Sequence, residues 1–180
     1  MRKISVLVGS LRAASINRTY AKALGKLGAD LFEFDYPSLD LPLYNEDLWP
    51  DPPESVFALK RSVEAADAVL FVTPEYNRSF TPATKNAIDW GSRPVGQPSW
   101  PGKPAAITGA SGGAIGTAAA QAQLRSIVVG RGMVLMGQPE LYYSFKPEGI
   151  DAEGNFTSDK TREIMRGFLE KFSAWIEKHG

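Results

Sequence analysis

Short apolar runs rich in β-branched residues alternate along this chain with longer stretches of helical periodicity, and few architectures accept that rhythm. The runs fall at about residues 3–9, 30–34, 67–73, 104–109 and 132–136, and the helical stretches at about 16–27, 53–65, 82–91, 114–129 and 159–178. A strand that is apolar on both faces must be covered on both, which helices between successive parallel strands accomplish. An α/β chain is therefore expected, and 180 residues suit one domain over residues 1–180 with a sizeable core.

Five strands and five helices in strict alternation predict the flavodoxin-like, doubly wound five-stranded parallel sheet, order 2-1-3-4-5, with helices on both faces. In such a sheet ligands bind outside the carboxyl ends of the strands, where the strand order reverses, here between the first and third strands. The loops after strands one, three and four should converge there. They are residues 10–17, 74–81 and 110–113, the three stretches of least generic composition.

The first loop reads Gly9-Ser10-Leu11-Arg12-Ala13-Ala14-Ser15-Ile16-Asn17-Arg18. A buried strand that ends in Gly and a small hydroxyl residue, then turns into a helix, aims unpaired backbone N–H groups and the positive end of a helix dipole at one point. Ser10, Ser15 and Asn17 add short donors, and Arg12 adds a planar cation. Neither the P-loop pattern with its lysine nor the glycine triplet of dinucleotide loops is present. Hydroxyls and an amide without that glycine spacing suit a single terminal phosphate held on all sides, as in a mononucleotide such as FMN. Ser and Asn before a helix are also ordinary N-cap residues, and the segment alone does not separate the two uses.

The third strand ends at Pro74-Glu75-Tyr76-Asn77-Arg78-Ser79, and Pro82 takes a favoured first-turn position in the next helix. An isoalloxazine ring requires an aromatic or apolar surface on one side and donors and acceptors along its pyrimidine edge. Tyr76 is expected to pack against the ring, with the Glu75 and Asn77 region supplying edge contacts largely through backbone. The competing role for the Glu75 carboxylate is to reach a neighbouring amide. After strand four, Gly109-Ala110-Ser111-Gly112-Gly113-Ala114-Ile115-Gly116 lets backbone approach a ring edge without Cβ interference and offers N–H groups to negative charge there. Gly116 is assigned instead to tight packing of helix against strand. Arg78, at the mouth, is placed to meet a nicotinamide phosphate or an anionic acceptor, with a solvated arginine as the alternative.

Other chemistries find little support. There is no cysteine, which excludes disulfides, thiolate nucleophiles and thiolate-held metals. Lys plus Arg and Asp plus Glu both number 20, so no net field draws the chain to nucleic acid or a charged membrane. No apolar run approaches a membrane span and the first residues do not form a signal peptide, so a cytoplasmic protein is expected. The single histidine, His179, gives a Ser-His-Asp hydrolase almost no support, and no His or carboxylate cluster has metal-ligand spacing. Lys85 and Asp89, at i and i+4, read as a surface helix pair rather than as catalysts, with Asp89 or Asn86 tying down a loop. Residues 35–53 hold five prolines, and Leu41, Leu43, Tyr44, Leu48 and Trp49 among them are too apolar to lie in water together, so some should pack on the body or on a partner subunit.

Taken together, Gly9-Ser10-Leu11-Arg12-x-x-Ser15-x-Asn17-Arg18, Leu41-Pro42-Leu43-Tyr44-Asn45-Glu46-Asp47, Pro74-Glu75-Tyr76-Asn77-x-Ser79-x-x-Pro82 with Lys85-Asn86-Ala87-Ile88-Asp89-Trp90, and Gly112-Gly113-x-x-Gly116 resemble the NADPH-dependent FMN reductase family. Its members include quinone, azo-dye and chromate reductases of flavodoxin-like fold, and the match runs in register over about residues 3–135. The resemblance implies that Ser10, Arg12, Ser15, Ile16 and Asn17 hold the FMN phosphate and ribityl chain. It implies that Pro74, Glu75, Tyr76, Asn77, Ser111, Gly112 and Gly113 frame the isoalloxazine. A homodimer or homotetramer with the flavin near a subunit interface is implied as well. Thr84 departs from the family pattern, since many relatives carry leucine there, and the departure bears on interface packing rather than on the cofactor.

The expected chemistry is hydride transfer from NADPH or NADH to flavin N5, followed by electron transfer to a small oxidised acceptor such as a quinone, azo compound or chromate, at Tyr76 and Arg78. No protein acid or base is needed, because the flavin carries the reaction. The rival reading is a flavodoxin-like electron carrier reduced by a protein partner; such carriers tend to present strongly acidic docking surfaces, so the zero net charge argues against it.

Overall fold

The computed structural model describes residues 1–49 and 51–180, so Pro50, within the proline-rich stretch, lies outside the described residues. The apolar runs form β1 (Arg2–Val8), β2 (Phe32–Asp35), β3 (Ala68–Val72) and β4 (Pro104–Ser111), and every residue of β3 is buried, as befits a strand covered on both faces. The strands pair in parallel in the order β2-β1-β3-β4, which makes the gap between β1 and β3 the switch point.

Successive strand residues face opposite sides, and each side has its own helices. Val6 and Leu70 pack with Leu24 of α1 (Ile16–Leu27) and with Phe168 and Phe172 of α5 (Asp159–His179). Leu7 and Phe71 pack with Leu59 of α2 (Glu54–Ala65), Ile88 of α3 (Pro82–Gly91) and Leu124 of α4 (Ala118–Gly130).

The expected fifth strand is divided. β5 (Val134–Leu135) pairs with Pro104 and Ala105, and a sixth strand, β6 (Leu141–Ser144), continues along the same edge of β4 from Thr108 to Ser111. Between them the chain passes through Pro139, which has no N–H for the ladder. The consequence is functional, because β6 buttresses the carboxyl end of β4. There Gly116, at φ 60°, lies so close to the backbone of Tyr142 and Tyr143 that a Cβ would come within 2.9 Å and 3.0 Å of it. Gly116 does pack tightly against a strand, β6, but from the turn that precedes the helix rather than from the helix itself. Helix α4 begins at Ala118, four residues later than its pattern suggests, which leaves 112–117 as a turn.

The proline-rich stretch is tied to α3. Asn86 accepts from the Tyr44 N–H at 2.7 Å and donates to the Pro42 carbonyl at 2.9 Å, and Trp90 Nε1 donates to that carbonyl at 2.8 Å. Asn86 is thus the residue that holds the loop, while Asp89 pairs with Lys85 at 2.7 Å on the surface. Leu39 is buried and the Tyr44 ring meets Trp90 edge-on, but Leu43 is 80% exposed.

Candidate active site

The loops after β1, β3 and β4 meet in one cleft at the switch point. Ser10, Arg12, Ser15, Ile16 and Asn17 form one wall, Pro74, Glu75 and Tyr76 a second, and Ala110, Ser111 and Gly112 the third. Asn77, Arg78 and Gly113 are exposed and lie outside these walls.

The first wall is built by a tight exit from β1. The Gly9 N–H donates to the Val72 carbonyl and the Ser10 N–H to the Val8 carbonyl, so neither is among the free donors. Ser15 is the N-cap of α1, its Oγ accepting from the Arg18 N–H at 3.2 Å. Capping and ligand binding are compatible here, since the hydroxyl that accepts this bond keeps its proton for an anion. Asn17 corrects the simple picture of a side-chain donor. Its buried carboxamide is committed to Ala110, donating to the carbonyl at 2.8 Å and accepting from the N–H at 2.9 Å. What positions 16 and 17 offer the cleft is the pair of first-turn backbone N–H groups, at the positive end of α1. The Arg12 guanidinium is exposed and, among the described residues, forms no ion pair.

Beneath this wall lies a buried pair of hydroxyls. Thr81 Oγ1 donates to the Gly9 carbonyl at 2.6 Å, so the 3.0 Å contact between Thr81 and Thr84 is donated by Thr84. A Cβ at Gly9 would overlap Thr84 Oγ1. Thr84 is 1% exposed and props the anion loop, which corrects the expectation that its departure from leucine bears on a subunit interface. Neither threonine belongs to a binding motif. The legible signal is spacing, because Thr84, Ala87, Ile88 and Gly91 recur on the buried face of α3.

In the second wall Tyr76 and Ser79 exchange backbone hydrogen bonds at 2.8 Å and 2.9 Å around a two-residue turn, with Asn77 at φ 50° and Arg78 at φ 67°. Positive φ at both central residues is the type I′ signature, and it presents the Tyr76 ring half-exposed at the rim. Glu75 turns the other way. Its Oε2 accepts from the Ala119 and Ala120 N–H groups at 3.1 Å and 3.2 Å, capping α4, whose own N-cap Thr117 offers no side-chain bond. Contact from Glu75 to a ligand therefore falls to its backbone.

In the third wall the Ser111 hydroxyl donates to the Gly116 carbonyl and accepts from the Gly113 N–H, which fixes the turn. At Gly112 a Cβ would meet no protein atom within 4 Å, so nothing in the fold demands glycine there. It would project into space beside the cleft, where a flat ring edge needs room. An unpaired guanidinium, a free hydroxyl proton and first-turn N–H groups at one end, with an exposed tyrosine and a bare glycine backbone at the other, fit the phosphate and the ring of FMN. Among the described residues no three His, Asp or Glu side chains are grouped to hold a metal, and no helix is long and apolar enough to cross a membrane.

The chain is similar to known proteins over nearly its whole length. Residues 2–148 match the family described as NADPH-dependent FMN reductase. The chain is 49% identical to a 2-hydroxy-1,4-benzoquinone reductase of Burkholderia sp. over 175 residues, 97% of this chain and 96% of that one. It is 43% identical to a quinone reductase of Pseudomonas putida over 176 residues, 97% and 94% of the two chains. The solved structure of FerB, a flavoenzyme NAD(P)H:(acceptor) oxidoreductase from Paracoccus denitrificans, superposes with a TM-score of 0.97 at 49% identity, covering 100% of both chains. With the fold, the cleft and these likenesses in agreement, the chain belongs to the NADPH-dependent FMN reductase family.

Proposed function

We propose that this protein reduces a quinone with NAD(P)H through FMN held in the switch-point cleft, in the balanced reaction NAD(P)H + H⁺ + quinone → NAD(P)⁺ + hydroquinone. When bound, FMN supplies the redox chemistry, taking a hydride from the nicotinamide and delivering electrons to the acceptor. The chain's residues bind and orient. Arg12, the Ser10 and Ser15 hydroxyls and the Ile16 and Asn17 N–H groups grip the phosphate. Pro74, Tyr76, Ser111, Gly112 and the backbone at Glu75, Asn77 and Gly113 frame the ring. Tyr76 and Arg78 stand where an acceptor arrives, and no side chain is assigned an acid or base role.

The observation that carries this reading is the gathering in one cleft of an unpaired arginine, a helix N-terminus and an uncrowded glycine turn beside an exposed tyrosine. The similarity to a 2-hydroxy-1,4-benzoquinone reductase and a quinone reductase supports a quinone as acceptor. We further assign residues 1–180 to one FMN-binding domain of a cytoplasmic protein, and that protein to a homodimer or homotetramer, an assembly supported by the exposed Leu43 on a loop anchored at α3. The test is the absorption spectrum of purified protein supplied with FMN. NADPH or NADH should bleach the bound flavin and a quinone should restore its colour. Protein that binds FMN but is bleached by neither coenzyme would instead be an electron carrier, and protein that ignores FMN would overturn the reading.

A further inference from the structure

We propose that a second cavity, beside the phosphate wall of the cleft, receives the 2′-phosphate of NADPH and sets the choice between NADPH and NADH. The inference rests on the FMN reading above. The cavity lies between the start of α1 and the segment that follows β2, and it is lined by Ser10, Leu11, Arg18, Lys22, Tyr36 and Ser38 among others.

Arg18 and Lys22 are one helical turn apart, so both reach the same hollow from α1. No Asp or Glu lines it, and among the described residues neither cation forms an ion pair. Two carboxylates flank the lining segment: Asp35, at the end of β2, accepts from Ser62 Oγ at 2.6 Å, and Asp40, just past Leu39, is exposed and is not among the lining residues. Lys22 Nζ rests 3.6 Å from the centroid of the Tyr36 ring. That contact places the ammonium without using its N–H donors. Tyr36 is itself fixed by donation to the Ala21 carbonyl at 3.2 Å. Two unpartnered cations in a hollow free of acid suit a phosphomonoester, which carries nearly two negative charges at neutral pH.

The FMN phosphate does not need these cations, because the first wall already supplies Arg12, hydroxyls and helix N–H groups to it. A second phosphate site therefore calls for a second phosphate. The geometry also fits one dinucleotide. From the β3 and β4 loops, where the ring is framed, to the gap between β1 and β2 is two strand spacings, roughly 10 Å. A dinucleotide with its nicotinamide on the flavin spans that distance to its adenosine end. NADH, which lacks the 2′-phosphate, leaves Arg18 and Lys22 unmatched.

The test titrates the FMN-loaded protein by calorimetry with adenosine 2′,5′-bisphosphate and with adenosine 5′-monophosphate. The bisphosphate should bind about tenfold more tightly. Lys22→Ala and Arg18→Ala should each erase most of that difference, Lys22→Arg should retain it, and FMN affinity should stay unchanged in all three. In turnover, the alanine variants should lose kcat/KM for NADPH by a similar factor and keep it for NADH. Equal binding of the two adenosine phosphates by the unmodified protein would overturn the proposal while leaving the FMN reading intact. Weakened FMN binding in Lys22→Ala would overturn it too, by giving these cations to the flavin phosphate. Failure of the unmodified protein to bind FMN would remove both readings together.

Discussion

The carboxamide of Asn17 and the backbone of Ala110 form a closed pair, with Nδ2 donating to the Ala110 carbonyl at 2.8 Å and the Ala110 N–H donating to Oδ1 at 2.9 Å. Both residues are buried, so the pair joins the first turn of α1 to the end of β4 and sets two walls of the cleft against each other. Asn17→Ala leaves a buried N–H and a buried carbonyl unpaired, which costs about 2–4 kcal/mol. Asn17→Asp should be comparably harmful, since it faces a carboxylate oxygen to the carbonyl. The readout is a fall in the urea midpoint with little change in slope. Midpoints near that of the unmodified protein would show that the pair carries no weight.

Thr84 and Thr81 hold the Gly9 carbonyl from below, and a nearly isosteric change isolates the hydroxyl. Thr84→Val should cost about 1 kcal/mol in stability, with weaker FMN binding because the loop above is less firmly placed. Thr84→Ser should preserve both. Thr84→Leu should cost about 1–3 kcal/mol by crowding Gly9. Thermal melts and FMN titrations of the three variants check the order, and a fully stable leucine variant would contradict it.

How far these features were legible follows from which of them are local. β1, β3 and the three loops announce themselves because a strand buried on both faces is an unbroken apolar run and the turn after it has a marked composition. β6 does not, since only Leu141 of its four residues is buried and its pairing with Thr108 lies 33 positions away. Side-chain roles divide the same way. Ser15 as a cap is set by its immediate neighbours. Whether Asn17 faces a phosphate or Ala110, and whether Glu75 faces a ring or α4, depends on parts of the chain that only the folded sheet brings close.

Arg78 occupies left-handed backbone, at φ 67°, where a side chain is disfavoured and glycine is not. Arg78→Gly should therefore stabilise the fold by about 0.5–1 kcal/mol, since Asn-Gly is the favoured type I′ pair. Among the described residues the only ion pair forfeited is the long contact with Glu75 at 3.5 Å, whose arginine end is in solvent and which contributes little. Chemical denaturation measures the gain. The same variant tests Arg78 at the mouth, where a raised KM for an anionic acceptor with unchanged FMN binding would give it a substrate role. A destabilised variant would refute the strained-turn account.

Burial raises the phenol of Tyr36 from 10.0 to about 12 and pushes that of Tyr20 up further still. For a group whose folded pKa lies above its unfolded value, the neutral form belongs to the native state. Its stabilisation is complete below pH 10 and is lost as pH rises toward the folded value, because the unfolded chain releases the proton first. Stability should thus decline above pH 10, and Tyr36→Phe should make the decline between pH 10 and about pH 12 shallower. Urea midpoints of both proteins across that range decide it. Lysine deprotonation affects both alike, so identical slopes would show that Tyr36 does not titrate as its burial requires.

Arg12 separates binding from folding. Its guanidinium is exposed and unpaired among the described residues, so Arg12→Ala removes nothing that the fold uses, and the melting temperature of the FMN-free protein should be unchanged. Loss of charged hydrogen bonds to the phosphate should weaken FMN by about 1–3 kcal/mol, roughly 5- to 150-fold. Arg12→Lys should recover part of the loss, because an ammonium keeps the charge but lacks the planar fork that meets two phosphate oxygens together. Riboflavin, which has no phosphate, provides the control and should bind all three proteins equally. If FMN affinity survives in Arg12→Ala, the arginine does not hold the phosphate, and the grip passes to Ser15 and the first-turn N–H groups of α1.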